Sequence, residues 1–447
     1  MHPIALPGPV AFALSALEAA GFEAFIVGGC VRDALLGCTP QDFDITTNAL
    51  PQQVEAVFSG ARVIETGLKH GTVTVLLENM PLEITTYRVD GGYSDGRHPD
   101  QVAFTGSLRE DLARRDFTVN AMAYNPRFGL ADCFGGQADL QNRVLRCVGD
   151  PETRFTEDAL RMLRLLRFAA RLGFSIEPAT AQAALALRER LRQVSAERIQ
   201  KELTALLQAP GAGDILIEYV DIFGVFLPEL LPCRGFCQQN PHHAYDVLTH
   251  LARTVDAVLP KPVLRLAALL HDIGKPDCFT VDADGVGHFY GHAKCSAVLA
   301  EAALTRLRYD NETKTQVLRL IEQHDLHLDP PDQPMERTIR RALNRMGPEL
   351  FFDLLDLMRA DNAARGVPHA ERLAKFDRVE ALARQLLAEQ ACFSLRDLAV
   401  DGNDLIAAGI PRGREVGIRL NALLDAVIDN RVENEKSALL RWLKDAP

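Results

Sequence analysis

Short apolar runs divide the first 140 or so residues into alternating strands and helices. The run FEAFIVGG (22–29) predicts a strand that ends in two glycines, and CVRDALLG (30–37) predicts the helix that follows. DFDITT, ARVIET, GTVTVLLE and PLEITTYR are rich in β-branched residues and predict further strands, with ALPQQVEAVF as a helix between them. The pattern indicates an α/β head built on a small mixed sheet.

Helical periodicity dominates from about residue 143 onward. Proline and glycine breaks near 210, 228–241, 260–262, 329–334 and 410–413 separate the helices. A chain of 447 residues is too long for one core, so two to four domains are expected. The fold class predicted is therefore a small α/β head followed by a large all-α remainder.

Composition and charge narrow the classes of protein. With 47% hydrophobic and 24% charged residues the chain is globular, and no apolar run reaches the ~18 residues of a membrane span. The absence of an N-terminal basic signal and nine cysteines without a CxxC pair predict a cytoplasmic protein with reduced thiols. The net charge of −11 disfavours general nucleic-acid binding, but residues 140–202 carry 12 Lys and Arg against 8 Asp and Glu. An RNA-binding surface is expected there.

The stretch QDFDITT carries two carboxylates on one face of a predicted strand. Asp42 and Asp44 are spaced i, i+2, so they lie side by side with Phe43 turned inward. Paired carboxylates together with phosphate oxygens are typical of Mg²⁺ sites. Gly28-Gly29, between a strand and a helix, predicts a backbone anion site, and Arg32 adds a cation.

Glu83, in LEITTYR, is the third candidate carboxylate. It is expected either to accept a proton from an attacking hydroxyl or to bind the metal as well. Taken singly, each of these features is also typical of a turn, an Asx loop or an exposed strand position. The ordered set of strand, glycine pair, helix, paired aspartates and strand indicates nucleotidyl transfer.

A second candidate pair lies in EDALRMLRLLRFAARLGF (157–174). Helical spacing i, i+3 makes Asp158 and Arg161 neighbours, either as a surface ion pair or as a reader of nucleobase edges. Cytosine and adenine present an amine donor beside a ring-nitrogen acceptor, which one Asp and one Arg match. Uracil and guanine present the reverse pattern and would leave polar groups unpaired. Such a pair would admit C and A alone.

The motifs in this order resemble the class II tRNA nucleotidyltransferases (CCA-adding enzymes) and the bacterial poly(A) polymerases. The resemblance is carried by VGGCVRDALLG…DFDITT, RRDFTVNAMAYN (114–125), DCFGGQADLQNRVLRCVGDP, the EDALR segment and VSAERIQKEL (194–203). It implies an Mg²⁺-dependent enzyme that acts on tRNA with CTP and ATP. It also implies a catalytic head (1–142), a helical neck (143–235), an HD domain (236–370) and a tRNA-binding tail (371–447).

The resemblance assigns further residues in the head and neck. Asp158 and Arg161 match the nucleotide-reading EDxxR motif, and Arg164 and Arg167 lie nearby for base or phosphate. Arg115 would contact the triphosphate, unless it pairs with the adjacent Asp116. Asn120 is expected to be structural or to contact the sugar.

The second half contains histidines and aspartates in the order H…HD…H…H…D. This order resembles the HD phosphohydrolases, whose divalent metal activates water on a phosphate ester. The resemblance implies His250, His271, Asp272 and Asp361 as metal ligands. His292 and His324 are candidates for a second metal or for phosphate. In the family such a module trims RNA ends, for example at a 2′,3′-cyclic phosphate, or serves only as part of the tRNA-binding body.

The long polar loop RVDGGYSDGRHPDQVAFTGSLREDL favours the full CCA reaction over CC addition. Its Asp95 and Arg97 match residues that the family associates with the switch from C to A. A-adding and CC-adding enzymes stay open, as does a poly(A) polymerase, although that class usually carries a longer basic C-terminal extension. An HD phosphohydrolase with a non-catalytic head and a non-enzymatic RNA-binding protein are alternatives of other classes. The chain is expected to be a monomer or a homodimer.

Overall fold

The structure is a computed structural model that describes residues 4–67, 71–91, 102–240, 243–328, 334–366, 370–389 and 392–445. The chain forms two compact units, Met1–Pro228 and Glu229–Pro447. The finer division into head, neck, HD domain and tail stays a prediction. Among the described residues, no helix combines the length and the apolar character needed to cross a membrane.

The first unit combines a sheet with helices. Its main strands are β1 (Ala24–Val27), β2 (Asp44–Thr47), β3 (Arg62–Gly67), β4 (Thr72–Leu77), β5 (Met80–Thr86), β6 (Arg88–Asp90), β7 (Val102–Phe104), β8 (Met122–Asn125), β9 (Gly129–Asp132), β10 (Val144–Leu145) and β11 (Ser175–Ile176). Its helices are α1 (Gly8–Ala19), α2 (Gly29–Leu35), α3 (Pro51–Val57), α4 (Leu108–Ala113), α5 (Gly136–Asn142), α6 (Pro151–Glu157), α7 (Leu160–Leu172), α8 (Pro178–Ala186), α9 (Ala196–Leu207), α10 (Ala212–Glu218) and α11 (Val220–Phe223). Short 3₁₀ turns cover Thr118–Asn120 and Arg188–Gln193.

The head sheet is mixed, as the sequence predicts. Its seven strands run in the order β3-β4-β5-β2-β1-β8-β9. The β2–β5 pair is parallel and the neighbouring pairs are antiparallel. Because β2 lies in the middle, its first residue can be approached from strands on both sides.

Alternation of buried and exposed residues fixes the face that each strand presents. Phe43 and Ile45 are buried, whereas Asp42 and Asp44 are exposed, so the two carboxylates share a face as expected from a period of two. Asp42 precedes the first residue of β2, so this part of the pattern lies in the approach to the strand. Phe25, Val27, Tyr87, Leu112 and Ala123 form one core cluster, and Val27 pairs in register with Asp44, so this cluster lies on the sheet face that carries Asp44.

The neck depends on α7, whose apolar and basic residues segregate. Leu163, Leu165 and Leu166 are buried at 1% exposure or less, while the arginines of the same helix face the cavity described below. This segregation follows from the helical period of 3.6 residues. It fixes which arginines can meet a ligand.

The second unit is helical apart from one small hairpin. Its helices are α12 (Val247–Ala257), α13 (Pro262–Leu270), α14 (His292–Arg306), α15 (Asn311–Gln323), α16 (Met335–Met346), α17 (Pro348–Ala363), α18 (Ala370–Ala388), α19 (Gly402–Ala407), α20 (Arg414–Ile428) and α21 (Lys436–Asp445). The hairpin pairs β12 (Thr280–Val281) with β13 (Gly287–His288), and 3₁₀ turns cover Pro228–Cys233 and Pro276–Cys278. Together with the neck helices, these elements confirm the predicted all-α remainder.

Candidate functional site

A cavity of about 820 Å³ in the first unit brings distant segments of the sequence together. Its lining includes the β1–α2 junction, the start of β2, the segment 114–120 and the neck helices α7 and α9. The predicted residues that line it are Gly28, Gly29, Arg32, Asp42, Asp44, Arg115, Asp158, Arg161, Arg164 and Arg167. The head motif and the neck motif therefore form one site.

The junction between β1 and α2 requires glycine at position 28. Gly28 has φ +82°, a conformation that L side chains rarely adopt, and directly precedes the first turn of α2. A Cβ built on Gly28 would lie 3.1 Å from Nη1 of Arg115. The backbone therefore approaches the Arg115 guanidinium closely, and a side chain at position 28 would meet it.

The carboxylates of the head differ in their placement. Asp44 pairs in register with Val27 on one side and with Glu83 on the other. Desolvation in the cleft raises the pKa of Asp44, and the like charges of Glu83 and Asp42 raise it further, against the lowering effect of Arg115. Glu83 is next to Asp44 in the sheet but is not part of the cavity lining. A cation beside Asp42 and Asp44 would relieve this repulsion.

Arg32 is a buried cation with fixed partners. Its side chain is 3% exposed. Its Nη1 donates to Oδ1 of Asn120 at 2.6 Å, and its Nε donates to Oδ1 of Asp33 at 2.8 Å. Its guanidinium lies 5.0 Å from the ring centroid of Phe168 on α7. The expected cation is present, and Asn120 has a structural role in holding it.

Arg115 does not pair with the adjacent aspartate. Its Nη2 lies 3.5 Å from Oδ2 of Asp111, and its Nε is buried without a hydrogen-bond partner. Burial lowers the pKa of Arg115, against the raising effect of Asp111 and Asp44. The alternative of an Arg115–Asp116 pair is therefore wrong. A partly buried guanidinium with an unsatisfied Nε–H is suited to an anionic ligand.

Asp116 has a structural role that the sequence analysis, which considered it only as a partner of Arg115, did not predict. Its Oδ2 accepts two hydrogen bonds from Arg164, at 2.9 Å from Nε and 2.7 Å from Nη2. Its Oδ1 accepts from Asn120 at 3.1 Å and from the backbone N–H of Phe117 at 2.8 Å. This buried carboxylate joins the head segment 114–120 to the neck helix α7. The only available sequence signal was its place within RRDF.

Asp158 and Arg161 do not lie on one helix, contrary to the prediction. Asp158 is extended (φ −145°, ψ 105°) between α6 and α7, and its Oδ1 accepts the backbone N–H of Leu160 at 3.1 Å. The break carries no proline or glycine, so the uninterrupted apolar period concealed it. Oδ2 of Asp158 accepts from Nη2 of Arg198 at 2.7 Å. The backbone N–H of Arg161 donates to the carbonyl oxygen of Asp158 at 3.0 Å, so the two residues are neighbours as predicted, although Asp158 precedes α7. Arg198, on α9, was missed.

The other neck arginines are held by their own carboxylates. Arg161 donates to Glu157 at 2.6 Å and to the carbonyl oxygen of Arg114 at 3.0 Å. Arg167 donates to Glu202 at 2.6 Å and stacks over Phe168 at 4.3 Å from its centroid. These contacts hold the guanidinium groups in place at the cavity wall.

The charge of the cavity suits a polyanion. Arginines outnumber acidic residues among its lining: Arg32, Arg114, Arg115, Arg161, Arg164, Arg167, Arg171 and Arg198 against Asp33, Asp42, Asp44, Asp116 and Asp158. The two aspartates of QDFDITT lie at the cavity together with the β1–α2 junction. The charged side chains that line the cavity therefore carry a net positive charge, as the binding of a triphosphate requires.

A second cluster lies within the second unit. His250, His271, Asp272 and Asp361 offer ligand atoms within 4.8 Å of one another, and so do Asp272, His292 and His324. All six predicted side chains therefore meet in one place. Asp272 is common to both groups, which predicts a carboxylate shared by two metal positions.

Each histidine of the cluster faces inward through Nε2. The Nδ1 atoms contact backbone carbonyl oxygens: Ala364 for His250 (3.3 Å), Ala268 for His271 (2.9 Å), Phe289 for His292 (2.7 Å) and Ile321 for His324 (2.7 Å). A carbonyl can only accept, so Nδ1 carries the proton and Nε2 presents a lone pair. This is the tautomer that binds a metal.

The two oxygens of Asp272 face different histidine pairs. Oδ2 lies 3.2 Å from Nε2 of His250 and 3.3 Å from Nε2 of His271. Oδ1 lies 3.3 Å from Nε2 of His292 and 3.5 Å from that of His324, and is buried without a hydrogen-bond partner. Lone pairs and an unsatisfied carboxylate oxygen facing one another fit a divalent cation.

Charge in the cluster is consistent with metal ligation. Burial raises the pKa of Asp272, but Lys275 and His271 outweigh it, so the pKa lies well below its usual value. The Nζ of Lys275 lies 2.6 Å from Oδ2 of Asp272. Burial lowers the pKa of His271. Burial acts to lower the pKa of His250 and of His292, but contact with the Asp272 carboxylate outweighs it and raises both, so a metal would compete with protons at these two rings.

Asp95 and Arg97, the candidates for the switch from C to A, lie outside the described residues. Their role stays a prediction. The RNA-binding surface expected within residues 140–202 also stays a prediction.

Matches to protein families cover three parts of the chain. Residues 24–146 match the Poly A polymerase head domain, and residues 173–233 match the family described as "Probable RNA and SrmB-binding site of polymerase A". Residues 288–443 match tRNA nucleotidyltransferase domain 2. The head fold and its cavity thus define a nucleotidyltransferase of the polymerase type.

Whole-chain relatives identify the family. The CCA-adding enzyme of Lactobacillus helveticus is 35% identical over 97% of this chain and 95% of its own length. That of Lactobacillus delbrueckii subsp. bulgaricus (strain ATCC 11842) is 36% identical over 96% of both. The crystal structure of the Bacillus stearothermophilus CCA-adding enzyme in complex with CTP has a TM-score of 0.73 and 29% identity over 98% of both chains. This chain belongs to the CCA-adding enzyme family.

Asp116 gives the first unit a defined response to acid. Burial raises its pKa, but the ion pair with Arg164 and the bonds from Asn120 and Phe117 outweigh burial and place the pKa below its usual value. Its stabilising effect is therefore present above the unfolded pKa of about 3.9 and is lost as pH falls through the lower native value. We expect Asp116→Asn to reduce the free energy of unfolding by roughly 1–3 kcal/mol at pH 7 and by less below pH 4.

Urea unfolding of both proteins between pH 7 and pH 3 measures this difference. The control is Glu78→Gln, at the exposed turn between β4 and β5 of the head sheet, which should leave the free energy of unfolding unchanged. A difference between Asp116→Asn and the wild type that stays constant over this range would contradict the assignment.

Proposed function

We propose that this protein adds C, C and A to the 3′ ends of tRNA from CTP and ATP without a nucleic-acid template. The observation that carries the proposal is the single cavity shared by the paired aspartates, the β1–α2 glycines and the neck residues Asp158 and Arg161. Membership of the CCA-adding enzyme family supports it.

The head residues divide the chemistry between them. Asp42 and Asp44 would hold Mg²⁺, because their oxygens are the ligand type that this ion prefers and their mutual repulsion favours a cation. Bound there, Mg²⁺ would activate the attacking hydroxyl and stabilise the leaving group. Backbone N–H groups after Gly28, together with Arg115, bind the triphosphate.

The transfer joins one oxygen to phosphorus and releases another. The tRNA 3′-hydroxyl oxygen attacks the α-phosphate, the bond to the β-phosphate oxygen breaks, and pyrophosphate leaves. The hydroxyl proton passes to a base, for which Glu83 is the candidate because it lies beside Asp44 in the sheet. Its position outside the cavity lining also allows a supporting role at the metal.

Asp158 and Arg161 would select C and A. Asp158 lies between α6 and α7, and Arg161 lies on α7. A carboxylate has about four lone-pair positions, so Asp158 can accept from a base amine while it holds Arg198 and the N–H of Leu160. Arg161 supplies the donor for the ring nitrogen. Arg198 is a positioning residue that fixes the direction of the Asp158 carboxylate.

A second activity is proposed for the histidine–aspartate cluster, namely metal-dependent hydrolysis of a phosphate ester at an RNA end, such as a 2′,3′-cyclic phosphate. His250, His271, Asp272 and Asp361 would hold one divalent ion, and Asp272, His292 and His324 a second. Such ions supply an activated water and stabilise charge on the phosphate. Lys275 and Arg365, which line the same cavity of about 300 Å³, are suited to bind phosphate oxygens.

The head proposal is tested by nucleotide addition to tRNA that ends before CCA, at C or at CC. With CTP and ATP each acceptor should be completed to CCA. Asp42→Asn and Asp44→Asn should each lower the rate by at least about 10²-fold, because the metal loses a ligand. Glu78→Gln, an exposed carboxylate outside the cavity, should have no effect.

The products on these acceptors also separate the alternatives. Addition of a single A only to the CC end indicates an A-adding enzyme, arrest after CC indicates a CC-adding enzyme, and long A tails indicate a poly(A) polymerase. Absence of any product with any nucleotide would leave RNA binding alone.

Arg198 is expected to affect nucleotide choice. Arg198→Ala frees the Asp158 carboxylate, so the preference for CTP and ATP over UTP and GTP should fall by about tenfold, as ratios of kcat/KM. Arg198→Lys, which keeps the charge, should retain more of the preference. The control is Arg192→Ala, on an exposed turn of the neck, where Arg192 pairs with Glu189. Unchanged ratios in Arg198→Ala would contradict the positioning role.

The shared carboxylate makes a metal-count prediction for the cluster. Asp272→Asn should abolish tight binding of both divalent ions and hydrolysis of an RNA 2′,3′-cyclic phosphate, whereas His292→Gln should remove only the second ion. Metal content by mass spectrometry gives the stoichiometry. Asp284→Asn, at the exposed hairpin turn, is the control. Equal metal content in wild type and Asp272→Asn would refute the metal site. CCA addition should be unchanged in all of these variants.

A further inference from the structure

Two aromatic rings stack beside the histidine–aspartate cluster. The rings of His288 and Tyr290 lie 5.3 Å apart between centroids and 9° from parallel. Both line the cavity of about 300 Å³ that also contains Asp272, His292 and His324. Neither residue belongs to the proposed metal ligands, so this pair has no assigned role.

Tyr290 is the most exposed large apolar side chain among the described residues, at 78%. An isolated exposed tyrosine needs no explanation, but this one lies at a cavity beside proposed metal ligands. Tyrosine combines a large flat surface with few rotatable bonds, so it loses little entropy when a ligand covers it.

The backbone under the rings is fixed. A Cβ on Gly287 would lie 2.3 Å from the carbonyl oxygen of Gln238 and 2.7 Å from Phe279, so this strand is in close contact with its neighbours. The N–H of Gly287 donates to the carbonyl oxygen of Gln239 at 2.8 Å. His288 is held by Asp282, whose Oδ2 lies 2.7 Å from Nε2. The stacked pair is therefore preorganised.

The order of side chains along this segment places the pair relative to the cluster. The ring of Phe289 is 5.5 Å from that of Phe279 and 5.2 Å from Nζ of Lys275. Tyr290 follows it and is exposed, and His292 begins α14 with its Nε2 in the cluster. A ligand whose phosphate reached the cluster would thus bring its neighbouring group to the exposed ring.

We propose that Tyr290, backed by His288, is a stacking platform for the nucleobase of a nucleotide whose ribose phosphate binds at the histidine–aspartate cluster. The inference rests on the phosphohydrolase function proposed for that cluster. Every base has a π-face, so the platform distinguishes nucleotides from phosphate esters that lack a base, without selecting among the four bases. The ligand class is a ribose-phosphorylated nucleotide, either free or at an RNA end.

A binding measurement tests the platform independently of hydrolysis. The chain has one tryptophan, Trp442. In a Trp442→Phe background, Tyr290→Trp places the only fluorophore of this type at the platform. Adenosine 2′-phosphate should quench its fluorescence, and inorganic phosphate should not. Leu259→Trp in the same background, at an exposed residue outside the cavity lining, is the control and should not respond. Absence of quenching by the nucleotide, or equal quenching by phosphate, would overturn the proposal.

A kinetic measurement separates this inference from the function on which it rests. For adenosine 2′,3′-cyclic phosphate, Tyr290→Ala should raise KM about tenfold with little change in kcat, and Tyr290→Phe should retain the wild-type KM. The ratio of the KM for adenosine 2′,3′-cyclic phosphate to the KM for glycerol 1,2-cyclic phosphate, which has no base, should rise by the same factor. An unchanged ratio would overturn the platform.

A short RNA ending in the cyclic phosphate distinguishes the two sources of the ligand. A KM that Tyr290→Ala raises for adenosine 2′,3′-cyclic phosphate but not for this RNA identifies the free nucleotide as the ligand, and a KM raised for both substrates identifies the terminal nucleotide in either form. If the wild type hydrolyses none of these esters but the fluorescence is still quenched, the hydrolytic function fails and the platform stands.

Discussion

The buried carboxylate of Asp116 is the interaction on which the first unit depends. It accepts hydrogen bonds from Arg164 of the neck and from Asn120 of the head, and Asn120 in turn accepts one from Arg32 beside the glycine junction. A buried carboxylate is tolerable only when it is fully paired, so these partners cannot move independently. The distance between the β1–α2 junction and the neck is thereby constrained.

That constraint keeps the head residues proposed for phosphate chemistry and the neck residues proposed for base recognition at one cavity. Phe168 constrains the cavity wall further. The guanidinium groups of Arg32, Arg164 and Arg167 all lie within 5.6 Å of its ring centroid. Cations stacked on one aromatic face keep their charge while losing freedom. The cavity wall is therefore both positive and ordered, as the binding of a triphosphate in one register requires.

The second unit follows the same physical rule with different groups. Here Asp272 is the shared carboxylate, and backbone carbonyls at the far side of each ring set the tautomer of His250, His271, His292 and His324. Four inward lone pairs and an unpaired oxygen are costly without a cation. In both units, a carboxylate shared between elements defines the geometry of the site.

The sequence by itself determined the mixed sheet, the helical remainder and most of the site residues, because a period of two or of 3.6 and a strand–glycine–helix junction are local properties. It also predicted the two carboxylates on either side of Phe43 and, through a family resemblance, the histidines and aspartates that the structure brings together. Only the tertiary structure decided the pairing. Asp158 lies outside the helix and pairs with Arg198, forty residues away, and such a separation leaves no local signal. Arg115 contacts Asp111, four residues before it, whereas the carboxylate of Asp116 is bound by Arg164. Long-range electrostatics among buried charges depends on positions that only the folded chain brings together.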